Sequence, residues 1–132
     1  MEHMTQSYYT VANGKSAIDF IYEYNLGFSY GNAFKYLARA SKKPGNSAES
    51  DLNKAISYIV TSHNELSFFE RLWLQLYNRI KFKKDIHLTD KSLESILVAI
   101  IYFNNPNKIA KMIIDYMKLH NIVVHKEFLK YS

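Results

Sequence analysis

The chain contains no cysteine, only two prolines and four glycines in 132 residues. Without thiols, disulfides, thiolate zinc sites and a cysteine nucleophile are excluded, and a reducing compartment is allowed. The few helix breakers fall between apolar segments, which favours helices throughout. Strict period-two alternation is nearly absent, so no strand is expected. The longest apolar run, residues 96–103, is eight residues, against the ~20 that a membrane-spanning helix needs. The first residues lack the basic-then-apolar layout of a signal peptide, and His3 before Met4 suggests a native start at Met4. A soluble, cytoplasmic protein is expected, with no membrane partner.

What is present is ordinary for a globular chain: 48% apolar and 22% charged residues, which excludes disorder. The length suits one domain able to bury roughly two-thirds of its unfolded surface. Seventeen Lys and Arg stand against twelve Asp and Glu, a net charge of +5. That balance suits phosphate-bearing partners but is not the dense patch of a DNA binder. Eleven Tyr, eight Phe and one Trp are many for this length, and such rings serve cores, contact surfaces and base stacking alike.

Apolar spacing predicts a helix over 17–26 with Gly27 at its C-cap, and a second from Ser29 or Tyr30 with Phe34, Leu37 and Ala38 on one face. Pro44-Gly45-Asn46 ends the second, and Ser47 is the expected N-cap of a third built on Leu52, Ala55, Ile56 and Ile59. Ser67 and Glu70 have capping-box spacing and introduce a helix with Leu72, Trp73, Leu76, Tyr77 and Ile80 as its inner stripe. The basic end of that helix, Arg79 to Lys84, suits the negative pole of the helix dipole. Thr89 is the expected cap of the next helix, with Leu88 stapling to Leu93; Asn105-Pro106 starts another, which His120-Asn121 stops. The tail, residues 122–131, reads as a short helix or an extended arm. The expected architecture is all-α, a compact single-domain bundle of six or seven helices. No internal repeat or low-complexity linker interrupts it.

Phosphate-loop, nucleophile-elbow, kinase and paired-histidine metal motifs are all missing. Chemistry is instead concentrated on two polar stripes. Asn32, Lys35, Arg39 and Lys42 step by three, four and three along one helical face, and Asp51, Lys54 and Tyr58 do so on the next helix. Two antiparallel helices would bring the stripes together as a groove of cations, an amide, a carboxylate and rings. Lys and Arg can hold phosphate oxygens, Asn can read a base or ribose edge, and Tyr can stack. The alternative is a solvated face laced by ion pairs of the Arg39–Asp51 type.

The ordered set Gly31-Asn32-Ala33-Phe34-Lys35-Tyr36, Arg39, Lys42 or Lys43, Asp51-Leu52-Asn53-Lys54-Ala55 and Tyr58 resembles the phage family of small proteins called nucleotide kinase, over residues 8–60. The pattern departs from that family at Tyr8, Ser16 and Ser57, where His, Glu and Trp are usual. The resemblance implies a phage or prophage origin and a nucleotide-binding protein, a nucleoside monophosphate kinase if active. Lys35, Arg39 and Lys54 would then neutralise phosphates of a mono- or triphosphate, with Asn32, Tyr36 and Tyr58 placing sugar and base and Lys42 and Lys43 also counted among the nucleotide-binding residues. Asp51 would orient a cation or a magnesium water, magnesium being the one cofactor expected. A helical pyrophosphohydrolase ranks lower, since the segment offers only Asp19, Glu23, Glu49 and Asp51 as carboxylates. Lys35→Ala and Arg39→Ala are expected to abolish nucleotide binding and leave the fold intact.

Residues 65–132 carry Trp73, the basic run and much of the apolar mass. They support a different reading: a non-enzymatic phage interaction protein that inhibits a host or defence factor through this aromatic, basic half. Nucleic-acid binding through Arg79 to Lys84 ranks third, and a homo-oligomer is compatible with either leading reading.

Overall fold

The computed structural model describes residues 9–12, 14–42 and 46–132, with the side chains of residues 46, 47 and 63 left aside. The expected Pro44-Gly45 turn, Tyr8 and Lys43 therefore lie outside what is described, and Ser47, the expected cap, falls inside the helix, which begins at Asn46. Among the described residues six α-helices carry the chain: α1 (Ala17–Glu23), α2 (Gly27–Ala40), α3 (Asn46–Val60), α4 (Phe68–Lys81), α5 (Lys91–Ile101) and α6 (Pro106–Leu119). Short 3-10 turns follow α3 at Ser62–Asn64 and close the chain at Lys126–Tyr131. The fold is all-α, as the spacing predicts. One exception is a small antiparallel hairpin, β1 (Thr10–Ala12) and β2 (Lys15–Ser16). Its strands are too short for alternation to show, and Gly14 turns it at φ +77°.

Phe34, Leu37 and Ala38 of α2 are buried against α3, whose Leu52, Ala55, Ile56 and Ile59 are buried in turn. Phe20 of α1 stacks on Phe34 with ring centres 5.7 Å apart. α5 is apolar on nearly every side, and its Ile96, Leu97, Ile100 and Ile101 join Ile109, Ile113 and Met117 of α6 in the same core. Asn53 on α3 fastens the tail: its amide donates to the Val123 carbonyl at 3.0 Å, and its oxygen accepts from the His125 N–H at 2.8 Å.

Helix starts follow the sequence closely. The Ser67–Glu70 capping box forms, and Asn105 accepts from the Asn107 N–H with Pro106 in the first turn. Two caps differ. Asp90 caps α5, not Thr89, because its carboxylate reaches both the Ser92 and Leu93 N–H groups. The N-terminus of α2 is capped from a distance, since Leu26 at its N-cap has no acceptor; Glu65 accepts from the Ser29 N–H and hydroxyl.

Helix stops are where spacing misleads. α1 ends at Glu23, and Asn25, not Gly27, takes the left-handed conformation beyond it at φ 53°; Gly27 (φ 77°) opens α2. Asn25, Phe103 (φ 51°) and Asn121 (φ 58°) occupy the same position past α1, α5 and α6. In each case a 6→1 bond closes the helix: Leu26 N–H to Ile21, Asn104 N–H to Ala99 and Ile122 N–H to Met117. A bulky residue pays for this conformation in strain. Phe103 is held there by a parallel stack on Tyr30, with ring centres 4.9 Å apart.

Candidate functional site

The polar stripes of α2 and α3 do adjoin. Arg39 Nε lies 3.4 Å from Asp51 Oδ2, and Arg39 Nη1 lies 3.4 Å from the Tyr9 hydroxyl. The Asp51 side chain is only 4% exposed, so the pair belongs to the packing between the helices. The guanidinium sits beside the nearly buried Asp51 Oδ2, and a cation paired with the carboxylate there does not suit a hydrated magnesium ion. No cluster of three metal-binding side chains forms among the described residues. Asn32 is also engaged, its amide donating to the Phe28 carbonyl one turn back at 2.8 Å.

The remaining expected residues form an outer cluster. Tyr36 and Tyr58 stack with centres 6.0 Å apart, and Phe28 meets Tyr58 edge-on at 5.7 Å. Lys35 and Lys54 bring their ammonium groups to 4.5 and 5.3 Å from the Tyr36 ring centre. Lys42 is exposed just beyond the end of α2. The nine residues thus divide: Asn32, Arg39 and Asp51 serve the fold, Lys35, Tyr36, Lys54 and Tyr58 form a cation–aromatic surface, Lys42 stands apart, and Lys43 is outside the described residues.

A more unusual surface lies on α4. Spacing places Leu72, Trp73, Leu76, Tyr77 and Ile80 inside, and the structure reverses this. All five are exposed, Trp73 at 57% and Ile80 at 87%, together with Phe68 and Phe69 before them. Of α4's fourteen residues only Leu74 and Asn78 are buried.

The reason lies in the helix ends beneath. The last carbonyls of a helix have no partner within it and carry the negative pole of its dipole. α1 and α5 both end under α4, and the polar side of α4 takes up what their closing bonds leave. Lys81 donates to the Glu23 carbonyl at 2.9 Å; Asn78 donates to Tyr24 at 3.0 Å and Ile101 at 2.8 Å. Gln75 and Arg71 donate to the Phe103 carbonyl at 2.9 and 3.3 Å. Arg71 also meets the Tyr30 hydroxyl at 3.0 Å, which itself donates to the Asn104 carbonyl at 2.8 Å. Burial pushes the Tyr30 phenol up, with Arg71 pulling against it. A helix whose inner face must supply donors turns its apolar face outward.

Spacing missed Arg71, Gln75 and Asn78, although their three-and-four spacing marks one face as clearly as the apolar stripe marks the other. Two concavities flank α4. One, of about 450 Å³, is lined by Phe28, Tyr30, Glu65 and Arg71; the other, of about 610 Å³, is an open apolar groove between Asn25, Leu66, Phe69 and Trp73. The basic run is dispersed: Arg79 lies 4.8 Å over the Tyr102 ring, Lys81 is spent on Glu23, and Lys83 and Lys84 are exposed. No helix among the described residues is long and apolar enough to cross a membrane.

Comparison with known proteins corrects the resemblance read from the motif. No curated protein and no solved structure matches the chain. The segment expected to be nucleotide-kinase-like matches another family model instead, and the phage origin and phosphoryl transfer implied by the resemblance lose their ground. Residues 4–60 are similar to DUF3310, a family described as a protein of unknown function, and α4 lies outside the matched segment.

Proposed function

We propose that this chain is a non-enzymatic interaction protein that binds a protein partner through the outer face of α4. One observation carries the reading. Seven large apolar side chains, four of them aromatic, lie exposed on one helix whose polar side is committed to the protein's interior. Given the size of such side chains, they present roughly 800 Å² of apolar surface, above the ~300–600 Å² of the largest patch on a typical monomer. Trp, Tyr and Phe are the residues that interface centres concentrate. In its finer form the proposal places the chain in the cytoplasm, which its lack of cysteine suits. The test is replacement of Leu76 and Ile80 by Lys. Because both are exposed, stability at sub-micromolar protein should change by less than ~0.5 kcal/mol, while binding of an apolar dye to the folded, dissociated protein should fall sharply. A large loss of stability would show that the face helps hold the fold and would end the reading.

A second reading, nucleotide binding, is favoured by Lys35 and Lys54 beside the Tyr36–Tyr58 stack. Rings and ammonium groups at this spacing suit a base and its phosphates. Magnesium would arrive with a triphosphate, not on Asp51. Calorimetry with nucleoside mono- and triphosphates tests it.

A further inference from the structure

We infer that the occupant of the α4 face is a second copy of this chain, with the two α4 helices packed antiparallel about a two-fold axis near the helix middle. The inference rests on the reading of that face as a protein interface, and three features support it. The first is area. The roughly 800 Å² of exposed apolar side chain equals the ~800 Å² that each partner buries in a standard stable interface.

Charge is the second. Glu70 stands exposed at the N-terminal end of the helix, with Glu65, whose carboxylate holds Ser29, just before it, and Arg79, Lys83 and Lys84 stand exposed at its C-terminal end. Antiparallel pairing sets acid against base twice and opposes the helix dipoles; parallel pairing sets like against like. The same acidic end argues against an anionic membrane surface, which prefers an interfacial helix with basic residues along its flanks.

The third feature is shape. The groove of about 610 Å³ beside Phe69 and Trp73 lies at one end of the stripe, and Ile80, the most exposed large apolar side chain among the described residues, lies at the other. From Phe69 to Ile80 is about 16 Å along the axis. A two-fold midway between them brings the partner's Ile80 to this copy's groove, and the reverse. An isologous contact needs this self-complementarity, a projection and a recess carried by one surface.

The experiment combines sedimentation, the fluorescence of the single tryptophan and engineered cysteines in a chain that has none. Wild type should sediment at twice 15.5 kDa at tens of micromolar, and Trp73 emission should shift to the blue as the dimer forms. Leu76→Glu and Ile80→Glu should keep the wild-type melting temperature at sub-micromolar protein, where association adds nothing, and weaken association about a hundredfold or more, since each buries an unpaired carboxylate. Phe69→Cys mixed with Ile80→Cys should give a disulfide-linked dimer that neither variant gives alone. Ready cross-linking of either variant with itself would overturn the antiparallel arrangement. A dimer indifferent to both Glu variants would place the interface elsewhere and overturn the inference. A monomer whose Trp73 is freely quenched by iodide would overturn the second copy and leave the α4 face open to another protein. If that monomer instead binds phosphatidylserine–phosphatidylcholine vesicles through Ile80, the occupant is a membrane. A monomer whose Trp73 is shielded would overturn the inference and the reading beneath it together.

Discussion

Asn78 is the residue on which the orientation of α4 can be tested most sharply. It is fully buried, and its amide donates to the carbonyls that end α1 and α5, at 3.0 Å to Tyr24 and 2.8 Å to Ile101. Truncation to Ala removes two hydrogen bonds worth about 1 kcal/mol each and strands buried acceptors at a further ~1–3 kcal/mol. A loss of about 3–5 kcal/mol is expected, a large share of the ~5–15 kcal/mol that holds a typical domain. For a chain of this length the melting temperature should fall by about 10–20 °C. Asn78→Asp should be worse near neutrality, because its carboxylate faces two carbonyls and cannot donate. Its folded pKa would rise above the unfolded value of about 3.9, so its deficit should shrink in acid and grow as pH climbs past that value. Ile80→Ser on the same helix should cost less than ~0.5 kcal/mol, since that side chain is 87% exposed. The assay is urea unfolding followed by circular dichroism at sub-micromolar protein, where association adds nothing. An ordinary amphipathic helix gives the opposite order. If Ile80→Ser proves costly and Asn78→Ala harmless, α4 packs by its apolar face and the reasoning fails.

Arg39→Ala, expected from spacing to be silent in the fold, should cost about 1–3 kcal/mol by removing the cation beside a buried carboxylate; the double variant with Asp51→Asn should recover part of this in a mutant cycle. Alkali should unfold the protein from above pH ~10. Burial holds Tyr24 and Tyr30 above the ordinary phenol range and, with the Asp90 hydrogen bond, raises Tyr116 further. A raised folded pKa adds stability that is complete below the unfolded value and lost as pH climbs through the folded one. Tyr30→Phe and Tyr116→Phe should each flatten that decline in a pH series of melts, and an unchanged slope would contradict the assignment. Lys35→Ala and Lys54→Ala should leave the melting temperature within about 2 °C of wild type, because Lys54 is exposed and Lys35 half-buried at the surface, and such cations stabilise little. Calorimetry should show each weakening nucleotide binding about tenfold, and wild type that binds no nucleotide would close the second reading.

Much of the fold was legible locally. Ser67 with Glu70 and Asn105 with Pro106 mark helix starts that formed as spacing predicts, because a cap needs only side chains within one turn of the backbone it serves. The apolar faces of α2 and α3 were equally plain, and burying both in one core obliged their polar stripes to meet at Arg39 and Asp51. That the meeting would be a sheltered ion pair and not an open groove depended on the depth at which Asp51 came to lie. Phe103 in a left-handed conformation could not be read locally either, since a bulky residue is held there only by the Tyr30 stack from a distant helix. α4 shows the limit most clearly. Periodicity separated Trp73, Leu76 and Ile80 from Arg71, Gln75 and Asn78, but it does not say which face turns inward. That was settled by the carbonyls of Glu23, Tyr24, Ile101 and Phe103, whose demand for donors exists only once the ends of α1 and α5 converge in space.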